Sequence, residues 1–483
     1  MMKPAARGIL AFLLTVMLMS PSTSAQVLVR QHSAEKIVFP ELEFEPPAVE
    51  EHELAGVTVL VLEDHSLPLA TIYVRLKGGY GLFSRDLYAA ASALPSLIRF
   101  GGSKDLAPDS VDKVLEYYAI QTSFGSGGEA ISATANALVE HFPLAVDLLG
   151  TLLTEPAFNS NEVEVWRGRQ IESVARMADD PVRLAYSEFN RLLYGDHSIG
   201  WEMGTADLEP GDLSREQLLE VHSRIVCRDN LVLGLAGDIT WSEVEHLVER
   251  LIDRINPCSV SLPESPIPTI RNAPGIYLIE KKIEQSVIVM AHATDLNLSD
   301  DPAYFSATIG NSILGGGGFS SRILSRIRTQ EGFAYSAASL WTMPRRYSGL
   351  LGAVTSTRPE NAVPAVEAIL ETMRGLVDSP PQASEISAAV NAIVNGFVFN
   401  FETSGQILSR TMFYLSEGLP RDWLERYLAG VQGVTANSVH RAFLEHMRPE
   451  DMMILIVGDP ERMGREPLAT LGPVTIMRES EVR

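Results

Sequence analysis

At 483 residues the chain is longer than one typical core supports, and two or more domains are expected. Hydrophobic content of 46% with 21% charged residues excludes an intrinsically disordered protein. The formal charge of -22, which becomes -24 when Lys3 and Arg7 are set aside, argues against nucleic acid and anionic membrane as partners.

The first stretch reads as a targeting segment. Lys3 and Arg7 form a positive region, Gly8 to Met19 is a short apolar run, and Thr23-Ser24-Ala25 supplies small residues at a cleavage position. A secretory signal peptide over 1–25, cut after Ala25, is expected, with a retained anchor as the other reading. No later stretch reaches the ~20 apolar residues of a spanning helix. The mature chain is therefore expected to be periplasmic or secreted, without an integral membrane segment.

From Gly56, GVTVLVLEDHSLPLATIYVRLKGG predicts two strands around a turn. Helical spacing follows at Leu87 to Arg99 and Ser110 to Ala119. Two short strands flank Phe124 to Gly128, and helices are expected over Val139 to Thr154, Asn161 to Met177 and Pro181 to Leu193. A strand from Asn230 to Ala236 precedes a helix opened by the capping box Thr240-Trp-Ser-Glu243.

Five prolines then crowd one segment: Pro257, Pro263, Pro266, Pro268 and Pro274. Proline cannot join a helix interior or a central strand, so 256–275 reads as a linker. Beyond it the order begins again, with a strand at Gln285 to His292, a helix at Asp301 to Leu314, and strands at Ala334 to Trp341 and Ser348 to Ser356. Five helices between Pro359 and His446 and a last strand ending at Asp459 complete it. LVLGLAGDIT at 231 matches MMILIVGDPE at 452, and TIYVRLKGG at 71 corresponds to SVIVMAHAT at 286. Two copies of one α+β unit are expected, each a mostly antiparallel sheet flanked by helices, over 40–255 and 276–465.

Chemistry is scarce. None of the ten histidines belongs to an HExxH or HxxEH motif. His440 and His446 are six apart, about 120° around a helix, too far to share a metal, and read as a solvated face. His65 reads as a turn or surface residue. There is no GxSxG elbow, and no Gly-Lys-Ser/Thr follows the glycine run at Gly315 to Gly318. The two cysteines, Cys227 and Cys258, are either a disulfide or two buried thiols.

One stretch stands out. LGGGGFSSRILSRIRTQEGFAYS, Leu314 to Ser336, reads as a glycine turn, a helix capped by Ser320 or Ser321 and carrying Arg322, Arg326 and Arg328, a stop at Gly332, and a strand carrying Tyr335.

Together with NGFVFNFETSGQILSRTMFYLSEGLPRDWLERYLAGVQGVTANSV and MMILIVGD, this stretch resembles the C-terminal domain of the insulinase/pitrilysin family of zinc peptidases. EDHSLPLATIYVRLKGG, EPAF at 155 and LVLGLAGDIT resemble its N-terminal domain, so the resemblance covers nearly all of 40–460. It is nearest the family's bacterial members similar to mitochondrial processing peptidase. The family carries HxxEH on the helix that leads to a FxGT-like turn, here Phe100-Gly-Gly-Ser103. The resemblance thus puts Ala93 and Leu97 where the histidines stand and Ser96 where the glutamate base stands. The distal ligand falls near Val174, with Glu172 close by. Alanine and leucine have no lone pair for zinc, so no metal is expected in this chain, and Pro95 in mid-helix adds to that.

The family also uses an arginine and a tyrosine, spaced R-x6-Y, to bond substrate carbonyls opposite the zinc. The resemblance places these roles on Arg328 and Tyr335, whose fork and hydroxyl suit an extended peptide and an oxyanion. It implies the substrate-binding, non-catalytic subunit of an exported heteromeric peptidase, with zinc in a homologous HxxEH partner. The alternative is a non-enzymatic scaffold of the same fold, as among relatives in the respiratory cytochrome bc complex.

Overall fold

The computed structural model describes residues 48–477; the expected signal peptide lies outside them. The fold is α+β, as expected, and is built on two six-stranded, mostly antiparallel sheets. The first has the order β1-β2-β6-β3-β5-β4, with β1 at Glu50–Leu54, β2 at Val57–Glu63, β3 at Leu69–Lys77, β4 at Gln121–Ser126, β5 at Ala130–Leu138 and β6 at Leu231–Gly237. The second runs β12-β7-β11-β8-β10-β9, with β7 at Gly275–Glu280, β8 at Ser286–Thr294, β9 at Ala337–Thr342, β10 at Gly349–Thr357, β11 at Met453–Gly458 and β12 at Val474–Met477.

Five of the six strands repeat one topology, and the outermost strand differs, β1 pairing antiparallel with β2 whereas β12 pairs parallel with β7. β2 runs parallel to β6, and β7 parallel to β11. β6 then pairs antiparallel with β3, and β11 with β8. The segments that match in sequence, at 231 and 452 and at 71 and 286, therefore occupy equivalent strands.

Strand alternation sends side chains to two different cores. In β2, Val57, Val59 and Val61 pack under the helices of their own half, while Leu60 and Leu62 face the other way. That second face is covered from the C-terminal half by Phe397, Ile407, Leu408 and Met412. The arrangement is reciprocal. In β11, Ile454 and Ile456 face their own helices, whereas Met453, Leu455 and Val457 meet Leu184, Ala185, Phe189 and Leu193 of the helix Pro181–Tyr194. Each half thus lends a helix to the other's sheet. Burial on both faces explains why these strands read as continuous apolar runs rather than alternating ones.

The proline segment 257–274 has no helix or strand. It lies against the first half, the Arg271 N–H donating to the Leu193 carbonyl at 2.7 Å. Cys227 and Cys258 are joined by a disulfide that ties the approach to β6 to the start of this segment. Three strands go beyond the sequence reading. β1 is charged, β7 begins inside the expected linker at Gly275, and β12 lies past residue 465. A helix at Arg215–Ile225, opened by a Ser214/Gln217 capping box, was also absent from it.

Candidate functional site

The glycine run folds as expected for a close approach. The helix Pro302–Asn311 widens into an i to i+5 turn over Ser312–Gly316, where the Gly317 N–H donates to the Ser312 carbonyl at 2.8 Å, and a Cβ at Gly315 would stand 2.2 Å from the Ser339 backbone nitrogen of β9. Any side chain there would push the turn off the sheet edge. Ser321 takes the N-cap position, although its hydroxyl donates back to the Gly318 carbonyl at 2.7 Å instead of capping forward.

The helix that follows is not a regular α-helix. One α turn, Arg322–Leu324, passes into a wider i to i+5 turn over Ser325–Gln330, in which the Glu331 N–H donates to the Arg326 carbonyl at 3.1 Å. Such widened turns insert a residue and re-aim the side chains after it, and they recur at functional positions. Gly332, at φ +67°, ends the helix in a conformation that suits glycine. Tyr335 then lies in the loop before β9 and not in a strand, because β9 starts at Ala337.

The three arginines of this stretch have different surroundings. Arg322 makes a two-pronged pair with Glu385, both contacts at 2.8 Å, and this holds the Glu385 carboxyl below its usual range. Arg326 reaches Glu331 at 3.1 Å and Glu371 at 3.2 Å. Arg328 has no carboxylate. Its guanidinium lies 4.3 Å from the Tyr335 ring centroid and 4.8 Å from that of Phe319. Among the described residues, neither its N–H groups nor the Tyr335 hydroxyl has a hydrogen-bonding partner. The structure therefore brings the two sequence-derived residues together and leaves their donors free. Phe319 was missed, since nothing in the spacing of residues 319 and 328 marks a contact.

The zinc-motif positions lie on the helix Tyr88–Phe100, which runs through Pro95. Ala93 is 0% exposed and Leu97 1% exposed, both packed in the first core. Two alkyl groups sealed in a core do not fit a zinc ligand set. Glu172 lies on the exposed side of its helix in an i,i+4 pair with Arg176. Val174 borders a cavity of about 740 Å³ with Arg85, Glu188, Arg191 and Trp201. Burial raises the Glu188 carboxyl, and Arg191 bonds it at 2.8 Å. Sequence reasoning gave no sign of that buried carboxylate.

His440 and His446 are not a solvated face. His446 is 9% exposed and bonds Asp295 at 2.7 Å, and His440 bonds the Val377 carbonyl at 2.8 Å. His65 is a surface turn residue, bonded to Asp238 at 2.7 Å. Its pKa is raised, first by that hydrogen bond.

Residues 212–393 match the family described as the peptidase M16 inactive domain. Together with the relatives below, that match supports a member of the M16, or insulinase, family, and the chain carries no HxxEH motif. It is 22% identical to the non-peptidase homolog YmxG of Helicobacter pylori, over 84% of this chain and 93% of that one. It is 25% identical to an uncharacterized zinc protease of Streptomyces coelicolor, over 57% of this chain and 60% of the relative, so that match spans less than two thirds of the relative's length. In fold it is similar to an M16 inactive domain from Pseudomonas fluorescens, with a TM-score of 0.76 at 21% identity, covering 85% of this chain and 98% of that one. It is also similar to the periplasmic protease PqqL of Escherichia coli, with a TM-score of 0.74 at 13% identity, covering 88% of this chain and 48% of PqqL.

Proposed function

We propose that this M16 chain is the substrate-holding, zinc-free subunit of an exported two-chain peptidase. Arg328 carries the reading. A half-buried arginine that lies over two aromatic rings and has no ion pair keeps its donors for an external acceptor. An extended peptide offers such acceptors in its carbonyl oxygens. Arg328 and Tyr335 would grip those oxygens while a homologous HxxEH partner supplies zinc and the attacking water.

The test is to purify the chain alone and with an HxxEH homologue from the same organism, then measure zinc content and peptide cleavage. The expected result is a zinc-free, inactive single chain and an active pair. Stoichiometric zinc and cleavage in the single chain overturn the proposal.

A non-enzymatic scaffold is the second reading, and the non-peptidase homolog that aligns along nearly its whole length favours it. An active pair whose rate is indifferent to Arg328→Ala and Tyr335→Phe would establish that reading instead.

A further inference from the structure

We propose that Phe319 is a positioning residue for the peptide site, one jaw of an aromatic clamp that fixes the plane of the Arg328 guanidinium. The inference rests on the reading of Arg328 as a peptide contact.

Three observations carry it. Phe319 is 73% exposed and Tyr335 is 78% exposed, so neither ring is where it is in order to fill a core. The Arg328 guanidinium nevertheless lies over both of them, at 4.8 and 4.3 Å from their centroids. Arg322 and Arg326, on the same short helix, are held by carboxylates. Arg328 is held by rings alone.

The chemistry of the two kinds of holder differs. A carboxylate occupies the in-plane N–H donors of a guanidinium, whereas a ring occupies only its faces, which carry no donors and are weakly hydrated. Two rings therefore restrict the rotation of the side chain without taking up any of its five N–H donors. A fork fixed before binding loses less conformational freedom when it meets a carbonyl. The short turn Gly318–Ser320, between the glycine run and the helix, is what carries Phe319 to this place. The glycine run thus has a second consequence: it brings the loop close to β9 and sets a ring over Arg328.

The experiment measures binding of a fluorescent, acetylated and amidated alanine-rich decapeptide to the purified chain, together with the Arg328 Nε–H signal in ¹⁵N NMR. End-blocking removes terminal charge, so only backbone groups and side chains are presented. Phe319→Leu is expected to weaken binding about two- to fivefold and to move the Nε–H signal toward that of a free arginine. Phe319→Tyr is expected to restore both, and an unchanged melting temperature shows that neither variant acts through the fold. Binding lost in Arg328→Ala but unchanged in Phe319→Leu overturns this inference alone. Binding unchanged in Arg328→Ala overturns the reading of the site itself, and the role of Phe319 with it.

Discussion

The guanidinium of Arg328 lies against the ring of Tyr335, 4.3 Å from its centroid, although the two residues belong to different elements. Arg328 is on the widened last turn of a helix, and Tyr335 is in the loop beyond Gly332. The chain reverses at that glycine, and the reversal lays the tyrosine over the arginine. A spacing of R-x6-Y is thereby converted into a contact.

Arg328→Lys keeps the charge but removes the planar fork and the stacking. In a complex with an HxxEH partner, kcat/KM for peptide cleavage should fall about 10²-fold if the fork bonds developing charge. A value within about twofold of wild type would mean that charge alone is used.

Placing the HxxEH ligands at the positions that the resemblance assigns to them should not create a zinc site. Ala93→His, Ser96→Glu and Leu97→His together place polar groups where Ala93 and Leu97 are sealed in the core. The triple variant should lose about 3 kcal/mol or more and take up no stoichiometric zinc. Urea denaturation and metal analysis measure both, and tight zinc binding without destabilisation would refute this account of the packing.

The lent helices should unite the halves in folding. Phe189, 2% exposed, belongs to the N-terminal half but packs on the second sheet, and Leu408, fully buried, packs on the first. Phe189→Ala and Leu408→Ala should each cost about 3–5 kcal/mol, or somewhat less for leucine, and shift one common unfolding transition. Two transitions, with only one moved by each variant, would show that the halves unfold independently.

Acid should destabilise the protein through two histidines, the buried His292 and the half-buried His222. Burial lowers the pKa of His222 and of His292 below the ordinary 6.5. His292 accepts the Arg448 N–H at Nε2, a bond that requires the neutral ring. A histidine with a depressed folded pKa binds its proton more readily when unfolded. Its contribution is full above the unfolded value near 6.5 and is lost as pH falls through the folded value. Stability should therefore decline below pH 6.5. His292→Asn should flatten the slope by at most one proton, about 1.4 kcal/mol per pH unit. Urea midpoints at several pH values between 8 and 4 give the comparison.

Much of the fold was legible because its signals are local. The capping box at Thr240, the apolar runs of β3, β6, β8 and β11, and the recurrence of those runs sufficed for two α+β units. What escaped lacked such signals. β1 reads EEHEL, a charged edge strand, and β12 has four residues after Pro473. The Ser214/Gln217 capping box did mark the helix Arg215–Ile225 and could have been found. At the site, the motif named Arg328 and Tyr335, whereas the clamp by Phe319 depends on a turn geometry that glycine spacing does not specify. The buried environments of Glu188 and His446 arise from tertiary packing alone.

The reciprocal loan of helices has an evolutionary consequence. A duplicated unit usually keeps the option of separation, since each copy covers its own hydrophobic surface. Here a bare sheet face on either side would be left by removing the other copy. Deleting either copy would therefore expose apolar surface on the one that remains. A copy whose sheet its neighbour covers, and which covers its neighbour's in turn, is retained for that packing whatever chemistry its own helices carry.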